Sequence, residues 1–150
     1  MVRLNLPEYP VKTRTQGKQH QIFDLVRKKY VRLTPEEWVR QHFINYLVND
    51  LSYPKSLVRI ESGLTYNQLE KRSDIIVFDK NIKPFLLVEC KATNVKLSNQ
   101  TFDQLSLYNQ SINARYLVIT NGLKHYCCSI DYNSNSYKFQ DRVPAFELNN

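Results

Sequence analysis

Short apolar runs alternate with polar punctuation along this chain, and their period changes from one end to the other. Residues 1–18 hold no sustained period. Pro7, Pro10 and Gly17 predict an extended segment that wraps the domain. Over residues 19–30, Ile22, Phe23, Val26 and Tyr30 fall on one side of a helical wheel and predict a short helix. Thr34-Pro35-Glu36-Glu37 reads as a stronger helix start. Thr34 is the N-cap, Pro35 takes the first helical position, and Glu37 closes a capping box. Val39, Phe43, Tyr46 and Leu47 then recur at helical spacing to about Asn49, and Tyr53-Pro54 ends the region.

Beyond that point the period shortens. Residues 57–61, LVRIE, predict a strand, followed by a turn around Gly63. Residues 73–79 and 85–91 predict two more strands, paired as a hairpin through KNIKP. Their runs, IIVF and FLLV, are continuously apolar, as expected of strands covered on both faces. Helical spacing returns over 98–112 with Phe102, Leu105 and Tyr108, capped by Ser98 or Asn99. RYLVIT, residues 115–120, is a further buried strand. The strand–helix–strand order makes 85–91 and 115–120 parallel, with a right-handed crossover. Asn121-Gly122 marks a turn, and 124–130 and 136–140 add edge strands. The expectation is one α/β domain over residues 1–150, with a mixed central sheet flanked by helices on both faces.

Charged residues sit at the ends of the two most apolar strands. Asp74 opens the first; Glu89, Cys90 and Lys91 close the second. Glu89 and Lys91 are two apart on a strand and share a face. Asp74 joins that face only if the hairpin pairs even residues with odd ones, which needs an even number of loop residues or a bulge. Two carboxylates and an ammonium at one sheet end suit Mg²⁺ or Mn²⁺, with the backbone carbonyl of Cys90 as a candidate third ligand. Lys91 could orient or deprotonate a water, or neutralise charge developing on phosphate. Such a set favours phosphodiester hydrolysis by metal-activated water. The bland alternative is a solvated strand end carrying a Glu–Lys pair.

Charge adds a partner class. The net charge is +7, and residues 1–32 hold eight Lys or Arg against Glu8 and Asp24. A basic N-terminal arm interleaved with Phe23 and Tyr30 suits a polyanion, nucleic acid first; a basic surface that only aids solubility is the alternative. Three cysteines, with no CxxC, read as a reducing, cytoplasmic chain without a disulfide framework. YCCSI reads as a strand with one cysteine buried. His20, His42 and His125 lack ligand spacing, which argues against zinc. No stretch resembles a membrane span or a signal peptide.

Asp74, an apolar hairpin, and then Glu89-Cys90-Lys91 together resemble the PD-(D/E)XK nuclease superfamily. More closely, they are similar to the N-terminal nuclease domain of the type I restriction enzyme R subunit. PEEWVRQ (35–41) resembles that family's first helix, YPKSLVRIE (53–61) its first strand, and KRSDIIVFD with FLLVECKA its catalytic hairpin. Gln104 and Tyr108 match its QxxxY motif, and LVITNG (117–122) the following strand and turn. The resemblance spans roughly residues 35–128. It implies a restriction-endonuclease-like fold and a Mg²⁺-dependent endonuclease acting on DNA. Asp74 and Glu89 would be metal ligands and Lys91 the catalytic lysine.

The family's first helix also supplies an acid. At 100° per residue, Glu36 falls on the stripe of Val39, Phe43 and Leu47 while Glu37 points away, which selects Glu36 to support the metal shell; the alternative is that both acids only stabilise the helix N-terminus. Gln104 and Tyr108, four apart, would position the scissile phosphate or Lys91; the alternative is Tyr108 in the core and Gln104 on the helix surface. Lys71 and Arg72 would hold phosphates or be plain surface charge, and Arg40 would pair with Glu36 or with DNA. One departure matters: with three glycines and no GxxxxGK[ST] phosphate loop, the chain is not the whole motor subunit. The expected partners are DNA and either restriction-modification subunits or a separate motor protein. The alternative is a non-catalytic nucleic-acid-binding or interaction module that keeps the nuclease fold.

Overall fold

A computed structural model describes residues 1–60 and 75–147. The N-terminal region departs from the sequence expectation. Residues 19–30 are not helical; β1 (Thr13–Gln16), β2 (Gln19–Asp24) and β3 (Lys29–Arg32) form an antiparallel meander. Two turns explain this. Gly17-Lys18 closes a two-residue hairpin between Gln16 and Gln19, with Gly17 at φ +63°, the conformation such a turn demands of its first central residue. Asp24 organises the second turn: its Oδ1 accepts from the amides of Val26 and Arg27 at 2.9 and 2.8 Å. The apolar residues that mimic a helical stripe belong instead to a strand of period two and to the turn after it.

Helix α1 (Pro35–Asn45) starts where expected, with the Thr34 hydroxyl accepting from the Glu37 amide at 3.0 Å, but the Glu37 carboxylate turns to Arg40 and Gln41 and does not close the expected capping box. It continues as a π-helical turn, Tyr46–Asp50, and a 3₁₀ turn, Lys55–Leu57, leads to the sheet. The six-stranded sheet runs in chain order: β4 (Val58–Ile60), β5 (Ile75–Phe78), β6 (Pro84–Cys90), β7 (Tyr116–Thr120), β8 (His125–Asp131) and β9 (Ser136–Gln140). Only the β6–β7 pair is parallel, and helix α2 (Asn99–Asn109), capped by Ser98, occupies its connection.

The two helices take opposite faces of this sheet. Val39, Phe43, Ile44 and Leu47 pack with Leu86, Val88 and Cys90. Leu105 and Tyr108 pack with Ile76, Leu87, Leu117 and Ile119. Successive β6 residues therefore alternate between layers, as a strand covered on both faces must. The N-terminal segment lies against the β7–β8 turn, where the Asn5 amide donates to the Gly122 carbonyl at 2.8 Å. Gly122 sits at φ +85° with Leu4 and Val39 pressed against it. Cys127 and Cys128 are both buried, one in each layer, where a single buried cysteine was expected. Among the described residues, no helix is long and apolar enough to cross a membrane.

Candidate functional site

The centre of interest is the end of β6. Glu89 follows Leu87 on the α2 side of the sheet, and the Lys91 Nζ stands 3.0 Å from the Glu89 Oε1. Both side chains are partly shielded, at 16% exposure for Glu89 and 29% for Lys91. The ladder holds this end firmly. Glu89 pairs with Ile119 and Cys90 with Thr120, and the Lys91 amide donates to the Thr120 carbonyl at 2.8 Å. The Cys90 thiol points into the opposite layer, among Val39 and Phe43, so the strand end offers oxygen donors and no sulfur.

The hairpin register answers the parity condition. Ile75 pairs with Val88, Ile76 with Leu87 and Val77 with Leu86, even against odd. Phe78 pairs with Pro84, even against even, so an irregularity between Val77 and Phe78 supplies the shift. Asp74 itself lies outside the described residues, as do Lys71, Arg72, Glu61 and the turn at Gly63. Among the described residues no group of three or more His, Cys, Asp or Glu side chains is arranged to hold a metal ion.

The first-helix acids are placed differently from the expectation. Glu37 is the buried one, and Glu36 stays near the surface with its side chain 41% exposed. The helical wheel considered one apolar stripe, but α1 is covered twice. Its second face meets the meander, where Glu37 Oε1 accepts from Arg40 at 2.7 Å and Oε2 from Gln41 at 3.1 Å. Arg27, held to Asp24 at 2.7 Å, approaches Glu37 at 3.6 Å, and Gln41 accepts from the Leu25 amide at 3.3 Å. Arg40 also donates to Glu36 at 2.8 Å. Of the two partners expected for it, Arg40 takes Glu36; buried between two carboxylates, it is a tie within α1 and not a DNA contact. Glu36 sits on the helix of the layer across the sheet from Glu89.

Gln104 and Tyr108 part company. Gln104 is exposed, whereas Tyr108 is buried among Leu105, Leu87 and Leu117. The end of α2 is roofed: Asn109 donates to the Tyr132 hydroxyl at 2.9 Å and accepts from the Ala114 amide at 2.8 Å, while that hydroxyl donates to the Ala114 carbonyl. A cavity of about 520 Å³ opens beside the strand end, between the start of α2 (Ser98, Asn99, Phe102) and Ile119, Tyr126 and Phe139. No motif in the sequence announces it, because its wall comes from four separate elements.

A family model described as type I restriction enzyme R protein N terminus (HSDR_N) matches residues 35–144. The chain belongs to this family. The match takes in α1, the whole six-stranded sheet, Glu89, Lys91 and α2, and leaves the meander outside. This R-protein N-terminal fold also resembles a solved fragment assigned as an HsdR subunit of a type I restriction enzyme from Vibrio vulnificus YJ016. The TM-score is 0.53 at 18% identity, over 75% of this chain and 24% of that one. At that identity the likeness concerns the fold, and the chain spans about a quarter of that fragment's length. No curated protein matches the sequence.

Proposed function

We propose that the end of β6 is the centre of a Mg²⁺- or Mn²⁺-dependent endonuclease that hydrolyses DNA phosphodiester bonds. The observation that carries this reading is the Glu89–Lys91 pair at 3.0 Å, at the end of a central strand of an R-protein N-terminal fold. The donors fit a hard cation. Glu89 supplies a carboxylate and the main chain at Cys90 a carbonyl, while the Cys90 thiol faces the other layer. Asp74 is the proposed second carboxylate. Bound there, the cation would supply Lewis acidity and lower the pKa of a bound water.

The chain's own residues do the rest. Glu89 binds, and the sheet ladder fixes its position. Lys91 brings a positive charge to the place where a pentacoordinate phosphate accumulates negative charge. The cavity beside Ile119 gives the flanking nucleotide a place to lie, with the N-terminus of α2 at its rim. Glu36 is left out of this set, because Arg40 holds it in the other layer. In this reading DNA is the substrate, the chain works in the cytoplasm, and its partners are restriction-modification subunits or a separate motor protein.

The Glu89–Lys91 ion pair also supports a second reading, a non-catalytic module in which the pair is structural. Calorimetric titration with Mn²⁺ separates the two. The nuclease reading expects binding by the wild-type chain that is lost in Glu89→Gln and in Asp74→Asn, with both variants melting normally. Absence of binding by the folded wild type would favour the non-catalytic module.

A further inference from the structure

The meander lies outside the family match and carries most of the chain's excess charge. Strand alternation sorts it into two faces. Ile22 and Asp24 point inward and are fully buried, while Gln21, Phe23, Tyr30 and Arg32 share the outer face with Arg14. Residues 12–32 hold seven Lys or Arg against one acid, Asp24, and that carboxylate is turned inward and tied to Arg27. No carboxylate of the meander stands on its outer face.

The outer cations are held in place without being neutralised. The Arg14 guanidinium lies 4.0 Å from the Tyr30 ring centroid, and its Nε and Nη2 donate to Gln21 and Gln16 at 2.7 and 3.1 Å. Gln21 in turn donates to Gln19 at 2.6 Å. Lys12 Nζ stands 5.6 Å from the Phe23 centroid, and Phe23 and Tyr30 meet edge to face at 5.3 Å. Beside Phe23, a cavity of about 310 Å³ is lined by Lys12, Lys28 and Lys55. A planar guanidinium stacked on a ring and held by neutral amides keeps its full charge and loses little freedom when it meets an oxyanion.

We infer that this face is a phosphate-binding platform for duplex DNA, distinct from the strand end at Glu89 and Lys91. Phosphate backbone fits better than bases, because cations already stand over both rings and leave them unavailable for stacking. Binding is therefore sequence-independent. The choice of DNA over an acidic protein surface rests on the phosphodiester reading of Glu89 and Lys91.

The test is fluorescence anisotropy of labelled short duplexes across a salt series, in EDTA and on a Glu89→Gln background. Cleavage then plays no part, and failure of the nuclease reading would leave this result untouched. Lys12→Gln/Arg14→Gln/Arg32→Gln should weaken binding about tenfold or more on every sequence and lower the slope of log K against log salt by up to about 3. A control of equal charge change, Lys80→Gln/Lys83→Gln/Lys138→Gln, should stay near wild type. If the triple platform variant does not melt cooperatively, Arg14→Gln alone should lower the slope by about 1. Equal losses in both triple variants would reduce the effect to net charge and overturn the platform. Polyglutamate competing as well as DNA would overturn it in favour of an acidic protein partner.

Discussion

Substituting Glu37 should cost far more stability than substituting its neighbour Glu36, although both acids open the same helix. Glu37 is 8% exposed and accepts from Arg40 at 2.7 Å and Gln41 at 3.1 Å, with Arg27 at 3.6 Å. Glu37→Ala deletes this acceptor and takes from Arg40, itself 8% exposed, the carboxylate at 2.7 Å, while Glu36 stays at 2.8 Å. Breaking a buried ion pair by removing one partner typically costs 3–5 kcal/mol, and the remaining Glu36 contact puts this case at about 3 kcal/mol. For a domain of this size that lowers Tm by roughly 6–12 °C. Glu36→Ala removes an ion pair whose carboxylate side is 41% exposed, and should cost about 0.5 kcal/mol. Urea and thermal melts of the two variants, with Arg40→Met as a third, read the difference directly. Losses of equal size for Glu36→Ala and Glu37→Ala would refute the idea that the meander buries Glu37 against α1.

Three further outcomes follow from the same geometry. Gly122→Ala must place a methyl 2.8 Å from Leu4 Cδ2 and 3.1 Å from Val39 Cγ2 at φ +85°. Backbone strain of about 1–2 kcal/mol plus overpacking of about 1–3 kcal/mol should make it one of the most damaging single substitutions in a denaturation series; a melt within 1 °C of wild type would speak against that packing. Burial pushes the Cys127 thiol up to about 12 and the Cys128 thiol up to about 11, so neither should react with a thiol reagent at neutral pH until the chain unfolds. Prompt reaction in the native state would contradict their placement. Burial lowers the pKa values of His42 and His125, whose ring nitrogens meet the carbonyls of Trp38 and Asn5. The fold thus binds these protons less readily than the unfolded chain. Their contribution is whole above about pH 6.5 and declines as pH falls towards the folded values, so Tm should drop between about pH 7.5 and pH 5.5. A Tm that rises over that interval would mean the rings are charged in the fold.

How legible was all this beforehand? The centre of the sheet was readable because β5, β6 and β7 are apolar runs ended by turn residues, and the parallel β6–β7 pair followed from the helix between them. Glu89 and Lys91 were readable because charge at the end of such a run is conspicuous and spacing two fixes a shared face. The meander was not. Ile22, Phe23, Val26 and Tyr30 satisfy a helical spacing by coincidence, and the decisive cues were a single glycine in a two-residue turn and an aspartate folding the chain back on itself. The error then propagated. Without the meander, α1 had one buried side instead of two, and the wheel chose Glu36 as the inward acid and left Arg40 open to Glu36 or to DNA alike. The parity of the hairpin depended on a single irregularity at Val77 and Phe78, which no composition rule reveals. Tyr108 belonged to the core because residues 109–114 and Tyr132 close over its end of α2, a contact distant in sequence.

The most direct test of the central claim is the cleavage of supercoiled plasmid by the purified chain in Mg²⁺ or Mn²⁺, alongside Glu89→Gln and Lys91→Met. The account predicts nicking that requires the cation, disappears in Glu89→Gln and falls by two or more orders of magnitude in Lys91→Met, on the order of the loss seen when one transition-state stabiliser is removed. Nicking of equal rate in all three proteins, or none by a wild-type chain that is folded and binds the cation, would contradict it.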